Sequence, residues 1–285
     1  MVSIASPTWL KVSIAKESDQ LQIARLCRRA VGRSDYVFRI LPRIIARGGL
    51  FLAWDGNALV GMTNFDRSVD GSGWLGAART DPDWRRRGVA VFLQRKIAAY
   101  AKRRGVRTLR LWVLSDNKPS IKTCESGGFK QVCEAVHVSC ILKASKGRRK
   151  VEPSFPSQSL LQSVLKSSYA TKIQGYIGYR RHFMKLTEAL LTRLRDDGEV
   201  YWIEDSVLLV SQPERTFGKR QSSSTILRGP LAKSLNRAKE IAKGMRANIL
   251  NCYIPYNTYE ISLARRLGFR RSAWGRHCLV FEKKL

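Results

Sequence analysis

The sequence predicts an α/β fold with mixed sheets, of the α+β kind, arranged as two domains in tandem. Three observations predict it. A strand, a glycine-containing basic loop and an amphipathic helix follow one another through residues 74–104. A second strand and helix then close on Gly128-Phe129. The same succession returns further along the chain, with Asn257 to Gly268-Phe269 standing as Asn117 does to Gly128-Phe129.

Each element has its own signal. Val12–Ala15 reads as a first strand, and a helix over Ser18–Ala30 has Ser18 or Asp19 as its cap. Phe51–Trp54 and Ala58–Phe65 flank Asp55-Gly56-Asn57, a hairpin turn. The strand Trp74–Thr80 runs into Asp81-Pro82-Asp83 and then Arg85-Arg86-Arg87-Gly88. Val89, Phe92, Leu93, Ile97, Tyr100 and Ala101 recur at helical spacing. Leu109–Leu114 is the next strand.

In the second half, Leu231–Met245 matches the helix Val89–Arg104, with Pro230 fitting its first position. Ala247–Ile254 matches Leu109–Leu114, and Leu190–Ile203 matches Ile40–Trp54. The second half begins less clearly, within Leu160–Arg180. The expected domains are 1–145 and 159–285, joined by a linker over 146–158. There a basic run, Lys146-Gly-Arg-Arg-Lys150, precedes Pro153 and Pro156.

Composition bounds the function. The net charge is +30. Residues 1–150 carry 29 Lys and Arg against 11 Asp and Glu, and residues 151–285 carry 23 against 11, which gives +18 and +12. The charge is therefore not a tail. It is either a solvated surface, or a footprint for a polyanion such as RNA or DNA, or for an anionic membrane surface. No stretch approaches the ~20 apolar residues of a membrane span. Met1–Ala15 contains Pro7 and Lys11 in its apolar run and does not read as a signal peptide. Six cysteines without a framework pattern suit reduced thiols in a cytoplasm. Cys133, His137 and Cys140 lie on a segment that alternates like a strand. Strand positions four apart are ~13 Å apart, too far to share a zinc with ligands at ~2.3 Å, so no metal is expected.

A basic loop ahead of a helix N-terminus offers unpaired N–H groups to a pyrophosphate. Arg85-x-x-Gly88-x-Ala90 and the segment from Asn117 to Gly128-Phe129 resemble the motifs of the GNAT N-acetyltransferase superfamily. The resemblance implies acetyl-CoA as acyl donor and transfer of its acetyl group to an amine. It implies two splayed strands that grip pantetheine at Ala78–Asp81 and Leu114–Asn117. The cofactor set is then Arg79, Thr80, Arg85, Arg86, Arg87, Gly88, Val89, Ala90 and Asn117, and the candidate catalytic residues are Cys124, Asn117 and Asp81.

Where the superfamily has a tyrosine acid, this chain has Cys124, either a proton donor or a small core residue. Trp74–Thr80 carries no acid. Asp81 and Asp35 are alternative bases, or else turn and cap residues. The second half has Arg228-Gly229-Pro230 and Ala264 at the matching places, and reads as a degenerate copy. The expected function is an N-acetyltransferase acting on a macromolecule. The alternatives are a non-enzymatic nucleic-acid or ribosome-binding protein and a small-amine acetyltransferase.

Overall fold

The computed structural model describes residues 9–143, 157–271 and 277–285. The linker expected at 146–158 falls outside the described residues except for Ser157 and Gln158. Two compact units divide the chain. One holds Met1–Leu111, Asn117–Lys130 and Phe281–Leu285, and the other holds Trp112–Asp116 and Gln131–Val280. Neither unit is contiguous, whereas the sequence reading drew blocks at 1–145 and 159–285. Residues 131–143 go with the second unit, and the last five residues go with the first.

The first unit contains β1 (Lys11–Ile14), α1 (Gln20–Ala30), α2 (Val37–Ala46), β2 (Leu50–Asp55), β3 (Ala58–Arg67) and β4 (Gly73–Thr80). It continues with α3 (Val89–Arg103), the start of β5 (Thr108–Leu114) and α4 (Lys118–Ser126). Strands β1 to β4 pair antiparallel in chain order, and β5 joins β4 in parallel. Alternation sends Leu50 and Leu52 of β2 to one face, into a core with Ile23, Leu26, Val37, Leu41 and Met62. Phe51 faces the other way, its ring 5.0 Å from that of Tyr100 on α3. Both faces are covered, which is why β2 reads as an unbroken apolar run.

Helix α2 had no separate signal in the sequence. Pro42 lies inside it and forfeits one backbone donor. Burial of Val37, Leu41, Ile44 and Ile45 on one face holds the helix regardless. The expected cap of α1 also differs in detail. Asp19 stands at the cap position, but its carboxylate accepts from the Lys16 N–H at 2.8 Å. On β3, a side chain at Gly61 would start 2.6 Å from Cγ1 of Val89, so glycine there seats the first turn of α3.

Buried charge ties the C-terminal residues into this unit. Arg110 donates to Asp70 at 2.6 Å, to Ser72 at 2.9 Å and to Glu282 at 2.7 Å. The Leu285 N–H donates to the Arg107 carbonyl, and Lys283 Nζ donates to the carbonyl of Gly127.

The second unit takes most of β6 (Lys130–Ile141). Its own start is α5 (Gln158–Leu165), α6 (Ser168–Lys172) and a hairpin of β7 (Tyr176–Tyr179) and β8 (His182–Lys185). Next come α7 (Glu188–Asp196), β9 (Val200–Ile203), β10 (Ser206–Val210), β11 (Glu214–Thr216) and β12 (Lys219–Arg228). It ends with α8 (Leu231–Gly244), β13 (Ile249–Pro255), α9 (Thr258–Arg266), β14 (Arg270–Arg271) and β15 (Cys278–Lys284), whose last residues belong to the first unit. Strand β13 lies between β6, antiparallel, and β12, parallel.

The succession α2-β2-β3-β4-α3-β5-α4 thus has a counterpart in α7-β9-β10-β12-α8-β13-α9. The two successions agree down to single hydrogen bonds. Asn117 caps α4 through Ser120 N–H, and Asn257 caps α9 through Tyr259 and Glu260 N–H. Phe129 N–H donates to the carbonyl of Cys124, and Phe269 N–H to that of Ala264.

Glu282→Gln should destabilise the chain by about 3 kcal/mol at neutral pH, because it strips a partner from a buried arginine. Burial would raise the Glu282 pKa, but the Arg110 hydrogen bond and charge outweigh it, and the folded value lies below the ordinary 4.5. Its contribution is therefore complete above that value and is lost as pH falls through the folded pKa. Thermal melts should show the gap between wild type and Glu282→Gln closing in acid. An equal gap at pH 7 and below the folded pKa would contradict this.

Candidate active site

Strands β4 and β5 part almost at once. Their ladder holds two pairs, Gly73 with Leu109 and Trp74 with Arg110. Among the described residues, 75–80 of β4 have ladder partners on β3 alone. On that side the register shifts: Met62 pairs with Arg79 and Asn64 with Gly76, so Thr63 opposes both Ala77 and Ala78. This is a β-bulge, and Ala77 sits in it at φ +50°, a strained conformation for a residue with a side chain. Beyond the bulge, the Asp81 N–H donates to the Val60 carbonyl at 3.0 Å. Peptide groups alternate along a strand, so the Thr80 N–H points to the edge of β4 away from β3.

The chain then turns into the arginine loop. Asp81 caps a short 3₁₀ turn, accepting from the Asp83 N–H at 3.1 Å. It also accepts from Arg29 Nε at 2.7 Å and Nη2 at 3.0 Å. Those bonds hold its carboxyl below the usual range. Asp81 is thus a cap and an ion-pair partner whose oxygens are engaged. Arg85 donates to the Ala30 carbonyl, and Arg87 lies over the Trp84 ring. Arg86 and Gly88 take φ of +63° and +79°. Left-handed residues next to extended or helical ones turn successive N–H groups to one side, an anion-holding arrangement. Gly88 is the N-cap of α3 and has no side chain to cap it, so the first-turn N–H groups of Val89, Ala90 and Val91 remain for another partner.

The other candidates lie as follows. The Arg79 side chain donates from Nε (2.7 Å) and Nη2 (2.6 Å) to Asp35. Asp35 is buried and also accepts from the Val37 N–H. Burial would raise its pKa, but Arg79 outweighs it and holds the carboxyl below the usual range. Asn117 is exposed and caps α4. Cys124 is the one fully buried residue of α4, 2% exposed. Burial, with a smaller effect of Glu125, pushes its thiol up to about 12. The structure therefore brings Arg79, Thr80, Asp81 and Arg85–Ala90 into one continuous run, with Cys124 packed in the interior. Two features had no sequence signal: the bulge at Ala77-Ala78 and the Arg29 partner of Asp81.

The second unit treats the corresponding place differently. Strands β12 and β13 pair from Gln221/Ile249 through Ser224/Cys252. The very next residues, Thr225 and Tyr253, are covered by the β7–β8 hairpin. Thr225 donates to the Gly178 carbonyl, and the Phe183 ring lies 4.8 Å from that of Tyr253. A side chain at Gly178 would start 2.4 Å from the Tyr253 ring. What remains is a cavity of about 10 Å³ lined by Tyr176, Phe183 and Tyr253 among others, room for about one water. At the head of α8, Pro230 has no N–H to offer.

Residues 20–129 match the model of the acetyltransferase (GNAT) family. A protein of Methanocaldococcus jannaschii described as an uncharacterized N-acetyltransferase is 43% identical over 51 residues. Those residues are 18% of this chain and 23% of that relative's length. Among solved structures, a GCN5-related N-acetyltransferase from Sphaerobacter thermophilus is similar with a TM-score of 0.58 at 12% identity, covering 98% of this chain and 97% of that one. Another, from Kribbella flavida, has a TM-score of 0.50 at 14% identity, covering 97% and 71%. The likeness in fold runs through both units, and the family match lies on the elements that carry the parted strands and the arginine loop. Residues 20–129 thus match the acetyltransferase (GNAT) family, and the chain as a whole is similar in fold to GCN5-related N-acetyltransferases.

Proposed function

We propose that the first unit binds acetyl-CoA and transfers its acetyl group to an amine, and that the second unit, a degenerate GNAT-like copy, binds no cofactor. One observation carries this reading: the parted edge of β4 leads without a break into the uncapped start of α3. The edge presents main-chain groups to pantetheine. The amides of Arg86–Ala90 hold the pyrophosphate, with Arg85, Arg86 and Arg87 supplying charge. The Thr80 N–H donates to the thioester carbonyl, stabilising the oxyanion as the amine attacks. Asp35 and Asp81 have their oxygens engaged, so the amine loses its proton to water, and solvent protonates the departing thiolate. The catalytic domain corresponds to 1–145 of the sequence reading and the copy to 159–285.

A macromolecular acceptor fits the charge better than a small cationic amine, which a +30 chain repels. RNA, or protein bound to RNA, is the acceptor class we infer. Six unpaired cysteines accord with a reducing compartment, the cytoplasm. A second reading is favoured by the burial of Cys124 and the engagement of both aspartates: a non-enzymatic polyanion-binding protein on the same scaffold. Release of free CoA thiol on pooled RNA, protein and polyamine acceptors decides between them. Release above background is expected. None on any acceptor, with CoA bound, would support the second reading.

Gly88→Glu should reduce acetyl-CoA affinity by more than ~100-fold, since it adds a side chain and a negative charge where φ is positive and phosphate is expected. Unchanged affinity in a folded variant would contradict the assignment of the loop. Cys124→Ala should lower turnover by less than ~100-fold, below what loss of a general acid commonly costs, and should leave the pH–rate profile in place. A vanished basic limb would show the thiol to be the acid.

The polyanion test is a salt titration. RNA affinity should fall with a log–log slope of about −0.7 to −0.9 per phosphate contact. Reversing the exposed clusters Lys102-Arg103-Arg104 or Arg265-Arg266 with Arg270-Arg271 should flatten the slope and spare CoA affinity. Lys146–Lys150, a third cluster, lies outside the described residues. No retention of RNA at ~100 mM salt would leave the charge as a solvated surface.

A further inference from the structure

We infer that Asp35 is a positioning residue: through Arg79 it sets the main chain of β4 at the edge that receives the acyl thioester. The inference rests on the proposed acetyl-CoA site. A buried ion pair is a poor source of stability, because desolvating both charges costs about what their attraction returns. Asp35 and Arg79 are nonetheless paired in a bidentate fork, with the Asp35 side chain fully buried and that of Arg79 12% exposed.

What the pair does locally is specific. Arg79 is the first residue after the bulge to regain its place opposite β3. Its Nη1 folds back to donate to the Ala78 carbonyl at 2.7 Å. The guanidinium thus bridges Asp35 to the peptide just before Arg79, and Thr80 lies just after it. The Tyr36 ring lies over the guanidinium, 5.3 Å from it. Asp35 is itself fixed by the Val37 N–H.

A strand edge that carries a bulge and lacks a second neighbour has little else to define it. Ala77 at φ +50° shows that this conformation is imposed. The charge pair supplies the tether, from the α1–α2 connection to the peptide just before Arg79. The pyrophosphate loop is held by other contacts, those of Arg29 and Arg85. Losing the tether should therefore weaken binding of acetyl-CoA, which also needs the Thr80 N–H at its thioester, more than binding of CoA.

The experiment compares the affinities of acetyl-CoA and CoA, by calorimetry on the full chain, for wild type, Asp35→Asn and Arg79→Lys. Arg79→Lys keeps the charge pair and gives up the fork, and it carries the test if Asp35→Asn fails to fold. Folding is checked by circular dichroism. The expected result is a loss of about tenfold in acetyl-CoA affinity relative to CoA, the size of one misaligned hydrogen bond, with any loss in CoA affinity the smaller of the two. Ala77→Gly, which loosens the bulge without touching the pair, should shift the ratio the same way. A folded Arg79→Lys with the wild-type ratio, or with both affinities reduced equally, would overturn the inference. If wild type itself bound neither ligand, the acetyl-CoA reading would fail first, and that outcome is distinct from a lost ratio.

Discussion

The constraint on which the rest depends is that β4 loses its parallel neighbour after two residue pairs. Main-chain N–H and C=O groups need partners, and a strand inside a sheet ordinarily finds them on both sides. Here the chain keeps a run of β4 with one side open, and leads that run directly into a loop and helix start whose N–H groups are also unclaimed. In the function proposed above, an extended amide-bearing ligand that ends in a diphosphate completes both. The bulge at Ala77-Ala78, the cap at Asp81 and the left-handed residues Arg86 and Gly88 all serve to bring one unsatisfied stretch into the next.

The two units illustrate the same constraint by contrast. In the second, pairing of β12 with β13 runs longer, and the hairpin β7–β8 covers the residues just past its end. Tyr176, Phe183 and Tyr253 occupy the space, and Pro230 removes a donor at the helix start. Burial of aromatic surface there stabilises the unit, at about 25 cal/mol per Å² removed from water. The second unit shares the asparagine caps and closing Gly-Phe turns of the first, with a filled core where the first has an open edge.

Much of this was legible in the sequence because it depends on local chemistry. Helix α3 and the strands around it follow from apolar periodicity, and the hairpin at Asp55-Gly56-Asn57 from turn residues. The loop Arg85–Ala90 announces itself by its glycine and arginines, and the repeat by Asn117 and Asn257. What was hidden depends on distant partners. Cys124 matches a functional position in spacing, yet only packing reveals that its thiol is interior. Asp81 and Asp35 read as candidate bases until Arg29 and Arg79, far away in sequence, are found to hold them. The bulge needs a register on β3 that no periodicity displays. The last five residues go with the first unit, where a buried ion pair joins Arg110 to Glu282, partners far apart in sequence.

The most direct measurement of the account is the stoichiometry of acetyl-CoA on the full chain, read by calorimetric titration. One open edge and one covered one require a single site per chain. A stoichiometry of one is the predicted result. Two sites, which would place cofactor in the second unit despite its filled interior, or no binding at all, would contradict the account.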